Sequence, residues 1–317
     1  MRLRRAFHFG TAAEQDSAAV EAARVPGLLA ASLLVCAASS ERPDVALRLA
    51  AANDVPGAPL FLGLAVGRWA GLPPSAQVSG RTQVALLFAA PGFANISMSE
   101  RDSMRRRVER LPVSDDYGVL GIGSGRVRPP GLVVISRPYR DYLLGLLSAR
   151  LGDAERALAH ARRLDSYRDD GGDEWRDASR DFSASIRATV RLAQGRAAEG
   201  LTEIERAPMR APLVSMNAVQ NRVYERFLRA ELLHAVGRDE EALRWYSTLH
   251  CSGNQGIAYL APCHLRQAQI HERMGHVDEA ILHYRRFVEL WKDCDPELRP
   301  EVDRARKRLD ALVVQAS

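Results

Sequence analysis

His250 and Cys251 stand ahead of the loop SGNQGIAYLAP, and Cys263 with His264 stands behind it. Four side chains able to ligate zinc therefore fall in an HC…CH arrangement. Adjacent residues on a helix point about 100° apart, so recruiting all four would strain the site. The favoured reading is that one pair ends a helix and the other begins the next, with Pro262 near the first turn, where its missing N–H is harmless. His264 and His271 are seven apart and share a helix face, while His276 and His283 lie in the turn and helix that follow. A two-histidine metal site wants HExxH spacing, and HERMGH does not supply it. These histidines read as solvated or groove-lining, with no metal site.

The glycine cluster GVLGIGSGR could cradle a phosphate, but it lacks the GK[ST] ending of a P-loop. Arg126 also stands where the third glycine of a GxGxxG counted from Gly121 would fall. A turn-rich connector is the better reading. The segment RDSMRRRVERL places Arg101, Arg105, Arg106, Arg107 and Arg110 close together. Guanidiniums in such a run can hold phosphates, yet no aromatic interleaving or recognition-helix motif accompanies them. A solvated helix face or a contact for an acidic protein is favoured, and nucleic acid is the weaker alternative. No serine, cysteine or carboxylate constellation suggests a nucleophile or an acid and base pair. The sequence thus predicts neither an enzyme nor a cofactor site.

Basic residues exceed acidic ones by 44 to 39, and only Lys292 and Lys307 are lysines. The net charge of +5 is confined to Arg101–Arg140, where nine arginines face four acids. Charge density also divides the chain, with 15 charged side chains in the first 100 residues against 68 in the remaining 217. The first third reads as helices at Val25 to Ala38, Pro43 to Ala52, Pro59 to Ala70 and Thr82 to Ala90. Their polar surface is too small for isolated helices, so they must find something to pack on. The basic start MRLRRAFHFG and the apolar run from Val25 imitate a secretory signal, but Glu14, Asp16 and Glu21 intervene. Uncharged residues from Val25 to Ser40 include Pro26 and number 16, short of a bilayer span, which predicts a buried helix. Four scattered cysteines argue against a disulfide framework. A cytoplasmic protein without membrane contact is expected.

Self-similarity carries the architecture. Four segments end one helix, turn through a glycine and start another: ARLGDAERALAHARRL, RLAQGRAAEGLTEIERA, HAVGRDEEALRWYSTL and ERMGHVDEAILHYRRF. The turn glycines Gly152, Gly195, Gly237 and Gly275 are 43, 42 and 38 residues apart. Seven residues before each stands Gly145, Ala188, Ala230 or Ala268, and five after stands Ala157, Gly200, Ala242 or Ala280. Small residues at those offsets would let the two helices of a pair approach closely, and the glycine would take the left-handed conformation at the helix end. Tyr246 and Tyr284 follow four residues later, to fill the next gap between helices.

This pattern resembles the tetratricopeptide repeat family, most closely over Val223 to Leu290. Its periods exceed the family's roughly 34 residues, so loops such as YRDDGGDEWRD are longer. The final stretch also looks like the C-terminal repeat region of large bacterial regulatory proteins, which often begin with a serine/threonine kinase or a DNA-binding domain. Neither head is present, and RDFSA at Arg180 to Ala184 is not a DFG motif. The resemblance implies an all-α fold of antiparallel helix pairs stacked into a right-handed superhelix. Its domains would be an apolar helical region 1–110, a Gly/Pro-rich connector 111–137 with room for a short hairpin, and a repeat array 138–317. The polar helix from about Pro296 to Val314 would cap the stack against water. The implied function is a scaffold or sensor that binds a protein or peptide on a concave surface lined by the first helix of each pair. In the last two repeats the candidate contacts are Arg222, Arg226, Arg229, Glu231, His264, Gln267 and His271.

Overall fold

The computed structural model describes residues 11–22, 58–69, 91–114, 135–167, 173–207, 222–249 and 256–316, with Ala6, Val45, Ala46, Leu49 and Ala89 as isolated positions. Among these residues there are twelve α-helices and one two-residue strand pair, so the protein is all α. In chain order the helices are α1 (Ala12–Ala22), α2 (Ala58–Ala65), α3 (Met98–Glu109), α4 (Arg137–Arg150), α5 (Ala154–Ser166), α6 (Asp173–Ala193), α7 (Ala197–Arg206), α8 (Val223–Ala235), α9 (Asp239–Ser247), α10 (Leu260–Arg273), α11 (Val277–Leu290) and α12 (Arg299–Ala316). No helix among the described residues is long and apolar enough to cross a membrane. The apolar run at 25–40 and the glycine cluster at 118–131 lie outside the described residues.

Each turn glycine does what its spacing predicts. Gly152, Gly195, Gly237 and Gly275 have φ of 80°, 74°, 80° and 76°. At all four, the glycine N–H donates to the carbonyl three residues back, and the next N–H donates to the carbonyl five residues back, as in Gly152 to Ala149 and Asp153 to Ser148. This is the paired bonding that closes a helix through a left-handed residue. Asp153 then caps α5 by accepting from the Arg156 N–H. A fifth turn of the same kind ends α2 at Gly67, φ 77°, where Arg68 N–H reaches the Gly63 carbonyl.

All eight small seam residues are buried. They do not all face one another, however. Beside Gly200 the space is closed by the Ala188 carbonyl and by Leu232 of α8, as expected for a pair of small residues. Beside Gly145 it is closed by His160 of α5 and by Ile186 of α6, the first helix of the following pair. Gly145 therefore admits a neighbouring hairpin as well as its own partner.

The chain divides into two compact units, each described by itself. One gathers the described residues from 89 to 245. There α4 packs on α3, α5 and α6, and α6 packs in turn on α5, α7 and α8. A helical stripe puts Ala157, His160, Ala161 and Leu164 of α5 in the core, at the i, i+3, i+4, i+7 positions of one face. The 21-residue α6 is central, and Ala178, Phe182 and Ile186 run along it fully buried. Phe182 stacks on Tyr142 with ring centroids 4.3 Å apart.

The other unit joins the described residues before 70 to those from 246 onward. Here α10 packs on α11 and α11 on α12, with Ala280, Tyr284, Phe287 and Leu290 facing inward. The α2 end docks on the turn after α11. Trp69 N–H donates to Asp295 at 2.6 Å, Asp295 N–H donates to the Gly67 carbonyl at 3.0 Å, and Arg68 reaches the Asp293 carbonyl. Trp69 and Trp291 are both 1% exposed. Part of the apolar first third thus has its packing partner within this chain.

The second unit groups residues from 246 onward with the N-terminal helices. The described ends of the connector pair in parallel, Val113 with Ile135 and Ser114 with Ser136, and its interior, where a short hairpin was expected, lies outside the described residues. The polar last helix does begin at Pro296, as a short 3-10 turn leading into α12.

Candidate functional site

Tight turns place the beginning of one helix beside the end of the next. Arg140 lies 12 residues before Gly152 and Arg163 lies 11 after it, so the two meet across the α4–α5 hairpin. They line a cavity of about 500 Å³ with Val113, Arg137, Asp141, Leu144, Ser166 and Tyr167. Arg137, Arg140, Asp141 and Leu144 are the i, i+3, i+4, i+7 face of the first two turns of α4. Asp141 anchors the arrangement, accepting from Arg163 at 3.2 Å and bonding His160 at 2.7 Å. Arg140 donates one guanidinium nitrogen to the Glu109 carbonyl, while its buried Nε has no partner among the described residues. Three guanidiniums and one carboxylate therefore line the pocket.

Three arginines of the arginine-rich segment are engaged within the chain. Arg101 is buried and donates to the carbonyls of Pro91, Ala94 and Ile96, and burial together with the nearby Arg150 pushes its pKa down to about 10. Arg105 bridges Asp102 and Glu109, and Arg106 pairs with Asp102. Glu109 also receives Arg156.

Deeper in the same unit lies a polar interior that polarity alone assigns to the surface. Arg222 and Asp181 form an ion pair at 2.6 Å with side chains 4% and 0% exposed. Arg222 adopts φ 44°, a left-handed conformation uncommon outside glycine. Glu225 accepts the Tyr142 hydroxyl at 2.5 Å and lies 3.4 Å from Ser185 Oγ. Burial and the adjacent Glu225 carboxylate raise the Tyr142 phenol well above its usual range. Thr189 and Arg150 both bond the Tyr224 hydroxyl. Every one of these carboxylates already has a cation or a phenol as partner, which suits a packed interior.

The other unit holds a row of four histidines. His264 and His283 approach through their Nδ1 atoms at 2.9 Å, His283 stacks on His271 with ring centroids 5.5 Å apart, and His271 meets His276. Among the described residues no group of three side chains is arranged to hold a metal ion. His250 and Cys251, the first half of the HC…CH arrangement, lie outside the described residues.

The seven expected contact residues divide by burial. Arg222, His264 and Gln267 are 4%, 0% and 4% exposed, and Gln267 bonds the Cys263 carbonyl of its own helix. That corrects the view of His264 as a solvated or groove-lining side chain: the Nδ1 contact with His283 holds it inside the α10–α11 pair. Arg226, Arg229, Glu231 and His271 are partly exposed. Arg229 stands 4.6 Å over the Trp245 ring. Sequence reading placed Arg137 and Arg140 only in the basic window 101–140 and missed Asp141, Arg163 and Tyr167; similar distance from the Gly152 turn was the signal that could have joined them.

No family model, curated protein or solved structure matches the chain.

Proposed function

We propose that this chain is a protein-interaction module, a scaffold or sensor that binds a protein or peptide on the concave surface of a tetratricopeptide-like array, and that it serves a bacterial signalling or regulatory system. The observation that carries this reading is the fourfold recurrence of one helix-closing turn, each flanked by buried small residues at the same two offsets. Hairpins repeated in this way bury a continuous core between neighbours and leave extended surface for a partner. The sequential packing of α4, α6 and α8 supports it further, since these are the first helices of successive pairs. Binding to nucleic acid through residues 101–140 draws less support, because Arg101, Arg105, Arg106 and Arg140 are engaged within the chain.

The partly exposed Arg226, Arg229, Glu231 and His271 are the groups offered to a partner. Affinity capture with the whole chain, followed by equilibrium titration of the purified partner, tests this. Arg226→Ala and His271→Ala, with helicity retained by circular dichroism, are expected to weaken binding about tenfold each, equivalent to about 1.4 kcal/mol. Unchanged affinity in both variants would remove these residues from the interface.

A further inference from the structure

We propose that the turn between α10 and α11 is a binding site for a divalent transition-metal ion of the zinc type, with His271, His276 and Glu279 as its ligands. The two histidines are five apart, which is not a helical spacing. The helix-closing turn at Gly275 brings them together instead, because the His276 N–H donates to the His271 carbonyl at 2.9 Å. The same bond joins Ser148 to Asp153, Arg191 to Arg196 and Leu233 to Arg238 in the other three turns, so among these four turns it pairs two imidazoles only here.

The Nδ1 atoms of the pair face each other at 3.3 Å. Nitrogens that far apart, each about 2.0 to 2.1 Å from one ion, subtend about 107°, close to the tetrahedral angle of zinc. An ion there takes the place of the proton between the rings, and both imidazoles then carry their N–H on Nε2. His271 stacks on the parallel His283 ring with centroids 5.5 Å apart, while His276 is exposed and free to turn. Neither His271 nor His276 makes another side-chain hydrogen bond or ion pair among the described residues. Burial lowers the His271 pKa, Glu279 opposes this and His276 adds to it, which keeps the ring neutral and its nitrogen able to ligate at neutral pH.

Glu279 supplies the third ligand. It lies three residues after His276, the capping residue of α11, and its charge already acts on His271. In a capping box a glutamate at this position accepts from the N–H of the capping residue, but here that N–H is committed to the His271 carbonyl. The carboxylate is exposed and takes no hydrogen bond or ion pair among the described residues. No three side chains there already surround an ion, so Glu279 must swing in, a rotation that exposed side chains make within nanoseconds. Two imidazoles and one carboxylate leave zinc a fourth position for water.

His271 is also a candidate contact for a protein partner, so metal binding is measured on the chain alone and partner binding in excess chelator; either reading can then fail by itself. Calorimetric titration of zinc into the untagged, chelator-stripped full chain is expected to show one site tighter than about 100 µM. His271→Ala and His276→Ala should each weaken it at least tenfold, and Glu279→Gln at least threefold, at unchanged helicity. His234→Gln, which removes a histidine bonded to Asp239 in another hairpin, should leave it unchanged. Absence of saturable binding would overturn the proposal. Equal weakening by His234→Gln, or indifference to any one of the three ligand changes, would overturn it too and mark an adventitious ion only.

Discussion

Replacing Gly145 by alanine is expected to lower stability, although the same change in an open helix raises it by about 1 kcal/mol. A Cβ at this position would stand 2.3 Å from Ile186 Cδ1, 2.9 Å from its Cγ1 and 3.3 Å from His160 Cβ. Carbon atoms rest about 3.5 to 4.0 Å apart, so at least Ile186 must move. Ile186 is 0% exposed and sits within α6, packed against α4. Overpacking of this kind costs about 1 to 3 kcal/mol, which after the helix gain leaves a net loss of about 1 kcal/mol. In a unit of this size that lowers the melting temperature by about 2 to 4 °C. Ile186→Val deletes the atom at the closest contact and costs about 0.5 to 1.5 kcal/mol alone. Combined with Gly145→Ala it should relieve the closest contact and leave only the one to Cγ1, so the double variant should lie within about 0.5 kcal/mol of Ile186→Val. Independent changes would instead leave it lower by about 1 kcal/mol. Urea midpoints followed by far-ultraviolet circular dichroism measure all four corners of the cycle. If Gly145→Ala raises the midpoint and the two changes simply add, the close approach of successive hairpins at this glycine is refuted.

Three further outcomes are expected. Alanine at Gly152, Gly195, Gly237 or Gly275 should cost about 1 to 2 kcal/mol each, since an added Cβ meets nothing within 4 Å and only the left-handed backbone is strained. Gly67→Ala should cost more, because its Cβ would also lie 2.7 Å from Cys294 Cβ; equal losses in thermal melts at all five would contradict this. Asp181→Ala should destabilise by about 3 to 5 kcal/mol by stranding the buried Arg222, and adding Arg222→Ala should recover part of that in urea unfolding. His271 has its pKa lowered, chiefly by burial, with His276 adding to the effect and Glu279 opposing it. The unfolded chain therefore takes up this proton at a higher pH than the folded one, so acidification below about pH 6.5 should reduce stability, and His271→Gln should flatten the dependence relative to the parent.

The helix-closing turns were legible because their signals are local. Gly237 and Gly275 close helices through backbone bonds spanning five residues, and Ala230, Ala242, Ala268 and Ala280, at the offsets read from the sequence, are all buried. Tyr246 and Tyr284, expected to fill gaps, are 0% and 3% exposed. The docking of Gly67, Arg68 and Trp69 on residues 291–295 has no such signal. It joins positions more than 220 apart in sequence through backbone carbonyls and one carboxylate, groups that every sequence offers. The interior around Asp181, Ser185, Arg222 and Glu225 was invisible for a different reason. Polarity assigns such residues to water, and only the pairing of one helix's cation with another's anion makes their burial tolerable. The α4–α5 pocket falls between these cases, since its helices were readable while the meeting of their ends required the hairpin to be closed.

Hydrogen exchange at four backbone amides tests the recurrent turn most directly. The N–H groups of Asp153, Arg196, Arg238 and His276 sit on exposed residues, yet each donates to the carbonyl five residues back. All four should exchange at least about a hundredfold slower than in an unstructured peptide, corresponding to an opening free energy of about 2.7 kcal/mol or more. Exchange at the unstructured rate in the full-length chain, at any of the four, would contradict a turn repeated four times and with it the array on which partner binding is proposed.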